Sequence, residues 1–212
     1  MLDTMGGELI FTYNDDGLLQ KVSGPGEPED NFFYTRSGEL FRLEKSIEGM
    51  PTTVWLFAYD EKGRVISKYK KDNAPGDSLV FKYDDQDRII GVSNYSGKTE
   101  ILFYYDIEFP DVSTVKRTVY LRDQFIPELS LSEIDTYELD NYQRPHPTEY
   151  YLSRDQMEEV FLPHNVLSKR TAAPDGVTVG TMTIHTYNYT KWGHPSMQDM
   201  RVVYGYNCEW PL

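Results

Sequence analysis

Apolar and polar residues alternate along this chain in short runs, and the runs stop at polar clusters that end in glycine. Phe11-Thr12-Tyr13 puts two rings on one face of an extended segment, because side chains alternate with period 2. Asn14-Asp15-Asp16-Gly17 follows, and apolar residues resume at Leu18-Leu19. The same order returns as Phe32-x-Tyr34 with Gly38 and Leu40, as Phe57-x-Tyr59 with Gly63 and Val65, and as Phe81-x-Tyr83 with Asp87 and Ile89. A fifth copy, Phe103-x-Tyr105, keeps the rings and Asp106 but reads Ile107-Glu108-Phe109-Pro110 where the turn belongs. Two divergent copies follow at Tyr137-x-Leu139 and Tyr187-x-Tyr189. The second aromatic position of each copy serves as its anchor. Anchors stand at 13, 34, 59, 83, 105, 139 and 189, so the spacing is even at first and insertions open the second half.

The physical content of one copy is a hairpin. Asn and Asp bond to their own backbone in turns, and Gly supplies a positive φ without steric cost. A short polar loop with a late Gly fits a type I turn closed by a left-handed residue. The return strand carries an apolar residue six after the anchor (Leu19, Leu40, Val65, Ile89). Looser turns such as Ser23-Gly24-Pro25-Gly26 then lead to the next copy. One hairpin is marginal alone, but neighbouring units bury each other's aromatic rings. Seven units predict about 12 to 14 antiparallel strands. The expected architecture is all-β: a long antiparallel meander of hairpin repeats, curled into a partial or closed barrel, with one short helix and a single domain over 1–212. The helix is expected at about 153–162, from the Ser153-x-x-Gln156 capping box, Met157, Val160 and Phe161, with Pro163 as its stop.

Composition agrees with many strands and turns: 17 Tyr, 10 Phe, 15 Gly and 12 Pro in 212 residues. The balance of 34 acidic against 21 basic residues gives a net charge of −13. Phosphate neutralisation needs Lys and Arg, so nucleic acid is excluded as a partner, and docking on an anionic membrane surface is disfavoured for the same reason. No apolar run reaches transmembrane length. The segment MLDTMGGELIF lacks a basic start and a long apolar core, so no signal peptide is visible. A single cysteine, Cys208, forms no internal disulfide and does not decide the compartment.

Tyr59-Asp60-Glu61-Lys62-Gly63-Arg64-Val65 and Tyr83-Asp84-Asp85-Gln86-Asp87-Arg88-Ile89 resemble the YD-repeat, Rhs-like units that read Tyr-Asp-x-x-Gly-Arg-Leu. More narrowly, Pro145 and Pro195, each six after its anchor, and the closing Val202-Val203-Tyr204-Gly205-Tyr206-Asn207-Cys208 are similar to secreted lipoprotein-like proteins of gut bacteria with a porin-like β-sheet fold. The likeness covers about residues 8–208. Thr35 stands where the motif has Asp, and Asp87 and Gln143 stand where it has Gly. The resemblance implies export and a place in the cell envelope, lipid-anchored through a removed leader; the alternative is the cytoplasm. It implies no catalytic residue. "Porin-like" is not read as membrane-spanning, because runs such as Lys68-Tyr69-Lys70-Lys71-Asp72 are too charged to face lipid.

Candidate chemistry is sparse. His146, His164, His185 and His194 show no zinc spacing, and no metal or other cofactor is expected. The acidic turns lack the order of a calcium loop and are explained by turn formation. No nucleophile motif is present, and no two carboxylates are marked as a glycosidase pair. Aromatic residues are the one feature suited to binding, since exposed Trp and Tyr stack on sugar rings and anchor protein partners. Trp55, Trp192 and Trp210 are the tryptophan candidates; alternation favours the sheet's own core for Trp55, whereas Trp192 lies in a predicted turn and is the best candidate ligand-binding residue. The function expected is a non-catalytic envelope protein that binds a glycan, peptide or protein. Alternatives are a scaffold or encapsulating sheet and, less favoured, a glycoside-active enzyme.

Overall fold

A computed structural model describes residues 9–71, 78–97, 100–122, 128–142, 144, 148–153, 160–175, 179–189, 195–198 and 202–203. The strands of the first half are β1 (Ile10–Tyr13), β2 (Leu19–Ser23), β3 (Glu29–Tyr34), β4 (Leu40–Ser46), β5 (Thr53–Tyr59), β6 (Val65–Lys70), β7 (Ser78–Tyr83) and β8 (Ile89–Ser96). Longer strands follow: β9 (Glu100–Glu108), β10 (Thr114–Arg122) and β11 (Leu129–Leu139). A helix α1 (Thr148–Ser153) precedes β12 (Val166–Ala172), β13 (Val179–Ile184), β14 (Tyr187–Tyr189), β15 (Pro195–Gln198) and β16 (Val202–Val203). Strands β1 to β13 form one antiparallel sheet in chain order, and β14-β15-β16 form a second. Among the described residues β1 pairs only with β2 and β13 only with β12, so the large sheet is open.

The repeat is the unit of construction. Each anchor lies opposite the residue six further on: Tyr13↔Leu19, Tyr34↔Leu40, Tyr59↔Val65 and Tyr83↔Ile89, each after a shift in register. That shift is the bulge that closes the turn, with Gly17, Gly38 and Gly63 at φ 77°, 87° and 78°. Asp87 takes the fourth such position at φ 61°, a conformation that Asp and Asn tolerate better than other side chains.

The described residues fall into two compact units, one within 1–103 and 147–158, the other within 104–146 and 159–212. In the first unit, cross-strand register places Phe32, Leu43, Trp55 and Lys70 in one row and Phe57, Lys68 and Leu79 in the next. Phe32, Leu43, Phe57, Leu79, Phe81 and Val92 are buried there. Full burial of each such side chain stabilises by about 1.5–3 kcal/mol. Tyr150 of α1 meets Phe11 edge-on at 5.2 Å, and Leu152 is buried beside it.

One short helix is present, as expected, and it begins at Thr148, ahead of the capping box. Ser153 is the last residue of α1, and its hydroxyl donates back to the Tyr150 carbonyl at 2.8 Å. A serine used this way cannot cap a helix that starts after it. Val160 and Phe161 lie in a turn, and 154–159, including Met157, lie outside the described residues.

In the second unit the fifth hairpin departs as its sequence does. Ile107 is buried, so β9 runs through the position of the usual turn, and Asp111 makes the reversal instead by accepting from the Ser113 amide at 2.8 Å. The sixth turn is expanded rather than lost. Leu139, the anchor, pairs with Val166 after the usual register shift. Asp140 N donates to the Asn165 carbonyl, and Asn165 N donates to Asp140 Oδ1. These are the bonds that the first and fifth residues after the anchor make in an ordinary unit. Asn165 thus takes the place of Arg144, and the chain between them, α1 included, is an insertion in one turn.

Candidate functional site

The acidic turns are conspicuous in the sequence, and the residue that opens each one is committed to hydrogen bonds within its turn. Asp60 Oδ1 accepts the amides of Lys62 and Arg64 at 3.0 and 2.9 Å, while its other oxygen takes a forked pair from the Arg64 guanidinium at 2.7 and 2.6 Å. Asp84 does the same with Gln86 and Arg88. Asn14 and Thr35 accept at the matching positions with their single side-chain oxygens. The Arg64 amide and then its guanidinium hold the Asp60 carboxyl below its ordinary range. Arg64 also lies 4.6 Å over the Tyr83 ring and reaches Asp87 at 2.7 Å, so consecutive turns are tied together.

The anchor tyrosines are committed as well. Tyr34 donates its hydroxyl to the Leu19 carbonyl, Tyr59 to that of Leu40 and Tyr83 to that of Val65, at 2.7 to 2.8 Å. Each acceptor is the residue six after the preceding anchor, so each unit latches to the one before it. Burial pushes the Tyr83 phenol up to about 12, against the pull of Arg64 and with the help of Asp60, so it stays a donor. The motif Tyr-Asp-x-x-Gly-Arg is therefore spent on architecture.

A cavity of about 210 Å³ opens in the first unit, beside the return turn between β4 and β5. Its walls include Lys45, Ile47, Met50, Thr53, Trp55 and Lys70. Trp55 and Lys70 are cross-strand partners, as are Lys45 and Thr53. Lys68, fully buried, sits 4.4 Å over the Trp55 ring. The Trp55 ring nitrogen is out of water and makes no hydrogen bond. Lys45 donates to the Ser153 carbonyl at 3.0 Å and lies 4.0 Å from Asp30. Lys70 makes no ion pair among the described residues. Three ammonium groups, an indole and two aliphatic side chains thus gather in a chain whose net charge is −13.

The second unit holds a buried polar cluster. Arg117, 1% exposed, donates through Nε to Asp135 Oδ2 at 3.0 Å and pairs with it again through Nη2. Thr171 donates to Asp135 Oδ1 at 2.6 Å, and Lys169 approaches at 3.4 Å. Burial works to raise the Asp135 carboxyl, but Thr171, Arg117 and Lys169 outweigh it and hold it below its ordinary range. The cluster fixes β10, β11 and β12 in register. Nearby, Tyr189 donates to Asp140 and stacks on Tyr142 at 4.2 Å. Burial and then that bond to Asp140 raise the Tyr189 phenol.

Trp192, the candidate drawn from the sequence, lies outside the described residues, as do His146, His194, Cys208 and Trp210. His164 faces the Tyr142 carbonyl at 3.2 Å, and His185 pairs through its backbone with Leu167. Among the described residues no group of three His, Cys, Asp or Glu side chains converges on a metal position. Sequence reasoning missed the cavity because its residues come from three strands and the return turns beside them, and only the register joins them. The one available signal was the pair of alternating lysines in β6, Lys68 and Lys70, which the hairpin register puts on the same face as Trp55 of β5.

No family model matches the chain, and no curated protein does. Among solved structures it is similar to a porin-like protein from Bacteroides uniformis ATCC 8492, at 12% identity and TM-score 0.54, over 90% of this chain and 79% of that one. It also aligns with a TcdB2-TccC3-Cdc42 complex at 11% identity and TM-score 0.33, over 85% of this chain and 10% of that one. A protein of unknown function from Bacteroides fragilis NCTC 9343 aligns at 10% identity and TM-score 0.25, over 84% and 93%. The last two likenesses are too distant to support anything further. The first shows that the chain shares the fold of a porin-like antiparallel sheet.

Proposed function

We propose that the chain is a non-catalytic ligand-binding protein of the cell envelope, and that its ligand, a glycan, occupies the cavity at Trp55. The carrying observation is the make-up of that cavity: an aromatic and aliphatic wall with a few converging polar groups, as small-molecule sites have. Among the described residues that line it there is no carboxylate, histidine, cysteine or serine; its polar side chains are Lys45, Lys70 and Thr53, which suit holding a ligand. Placement among the YD-repeat, Rhs-like chains is supported by the Tyr-Asp-x-x-Gly-Arg turns, and export by the secreted proteins they resemble. Fractionation of cells expressing the native gene tests export: the protein is expected with the envelope, and its confinement to the cytosol overturns that part.

A glycan array with two variants tests the site. Binding is expected for the parent and for Trp192→Ala, and is expected to disappear in Trp55→Ala. Binding that survives in Trp55→Ala but is lost in Trp192→Ala moves the site to the seventh turn and contradicts the proposal.

A further inference from the structure

We infer that the ligand of the Trp55 cavity is an anionic pyranose, a single sugar ring carrying a carboxylate or a sulfate. This rests on the binding role proposed for that cavity and goes further, to the class of ligand. Three observations converge on it.

The first is charge. The chain carries 34 acidic residues against 21 basic ones, yet the cavity is bordered by Lys45 and Lys70, with Lys68 under the indole. The acid beside it, Asp30, stands 4.0 Å from Lys45, and Lys45 is further held by the Ser153 carbonyl. Lys70 has no carboxylate of the described residues within pairing distance, so its ammonium is the one available to a ligand. Lysine is a compact point charge that does not demand the planar fork of a carboxylate or phosphate, so it accepts a carboxylate or a sulfate equally.

The second is the wall. A pyranose has an apolar face of C–H groups and an edge of hydroxyls. Trp55, Ile47 and Met50 offer matching apolar surface, and Thr53 adds a hydroxyl. The third is size. About 210 Å³ is below the usual span for drug-sized ligands of about 300–1,000 Å³ and gives room for one ring. The net charge of −13 points the same way, since it repels long polyanions while a short anion close to the lysines is drawn in.

Calorimetric titration of the whole chain with glucuronate, glucose 6-sulfate, glucose and acetate tests the inference. Glucuronate is expected to bind at least about tenfold more tightly than glucose or acetate. Glucose 6-sulfate tells which anion is accepted: binding with glucuronate supports both forms, and failure beside bound glucuronate narrows the ligand to a carboxylate. Lys70→Met, which keeps the aliphatic stem, is expected to bring glucuronate down to the level of glucose without changing glucose. Its fold is checked by far-ultraviolet circular dichroism, and Lys70→Arg is expected to retain binding. Glucose binding as well as glucuronate, or Lys70→Met leaving glucuronate untouched, overturns the anion while leaving a sugar site in place. Acetate binding as well as glucuronate overturns the ring. No binding by any of the four overturns both this inference and the cavity as a sugar site.

Discussion

Tyr59 and Asp60 divide two tasks between neighbouring positions. The tyrosine hydroxyl latches its unit to the Leu40 carbonyl of the unit before, and the aspartate closes its own turn. Tyr59→Phe removes one hydrogen bond and leaves the ring, so a loss of about 1 kcal/mol is expected in denaturant unfolding. Loss beyond a few times that value shows that the hydroxyl does more than latch. Asp135 is the other telling residue. Its carboxyl is held below the ordinary range, so its stabilising effect is present above the unfolded value of about 4 and is lost as pH falls through the lower folded value. Asp135→Asn leaves the buried Arg117 only its longer contact with Glu133, at 3.5 Å, and is expected to cost about 3–5 kcal/mol at neutral pH. The gap between parent and variant should close as the medium is acidified below about pH 4. A gap that stays constant down to strong acid contradicts the charged assignment. These residues were unequally legible. The tyrosines and turn acids stand out by repetition, whereas Arg117 and Asp135 look like ordinary charges on alternating strands until the register places them face to face.

At the scale of elements, the left-handed closing residue decides whether a turn forms. A side chain added at Gly63 meets nothing within 4 Å, so Gly63→Val should cost only the backbone term, about 1–2 kcal/mol in thermal unfolding. Gly63→Asn should cost less, as Asp87 already shows that a short polar residue holds this conformation. Equal losses for the two variants contradict the left-handed role. The strands, their pairing and their order were readable in the sequence because the anchor fixes the register and the turn fixes the reversal. The position of the helix was not. Its capping box is a real pattern, but Ser153 spends its hydroxyl on a carbonyl of the preceding turn. The insertion in the sixth turn was visible as a widened gap, yet nothing local marks Asn165 as the residue that completes it, since its partner Asp140 lies 25 positions away.

For the whole molecule, thirteen strands in chain order form an open sheet shared in fold with a porin-like protein. Among the described residues no helix is long and apolar enough to cross a membrane. The repeat consumes its own conspicuous residues, so a search for function among the Tyr-Asp turns finds closed hydrogen bonds. The cavity lies on the opposite kind of turn, the irregular return between units, where the sequence carries no repeated demand. The most direct test is a titration of isotope-labelled protein with glucuronate, followed by amide, indole and lysine side-chain resonances. Shifts are expected at the Trp55 indole, Lys45, Ile47, Met50 and Lys70, with the turns at Asp15, Asp60 and Asp85 unmoved. Shifts centred on those acidic turns, or on Trp192, with Trp55 silent, would contradict the assignment of the site.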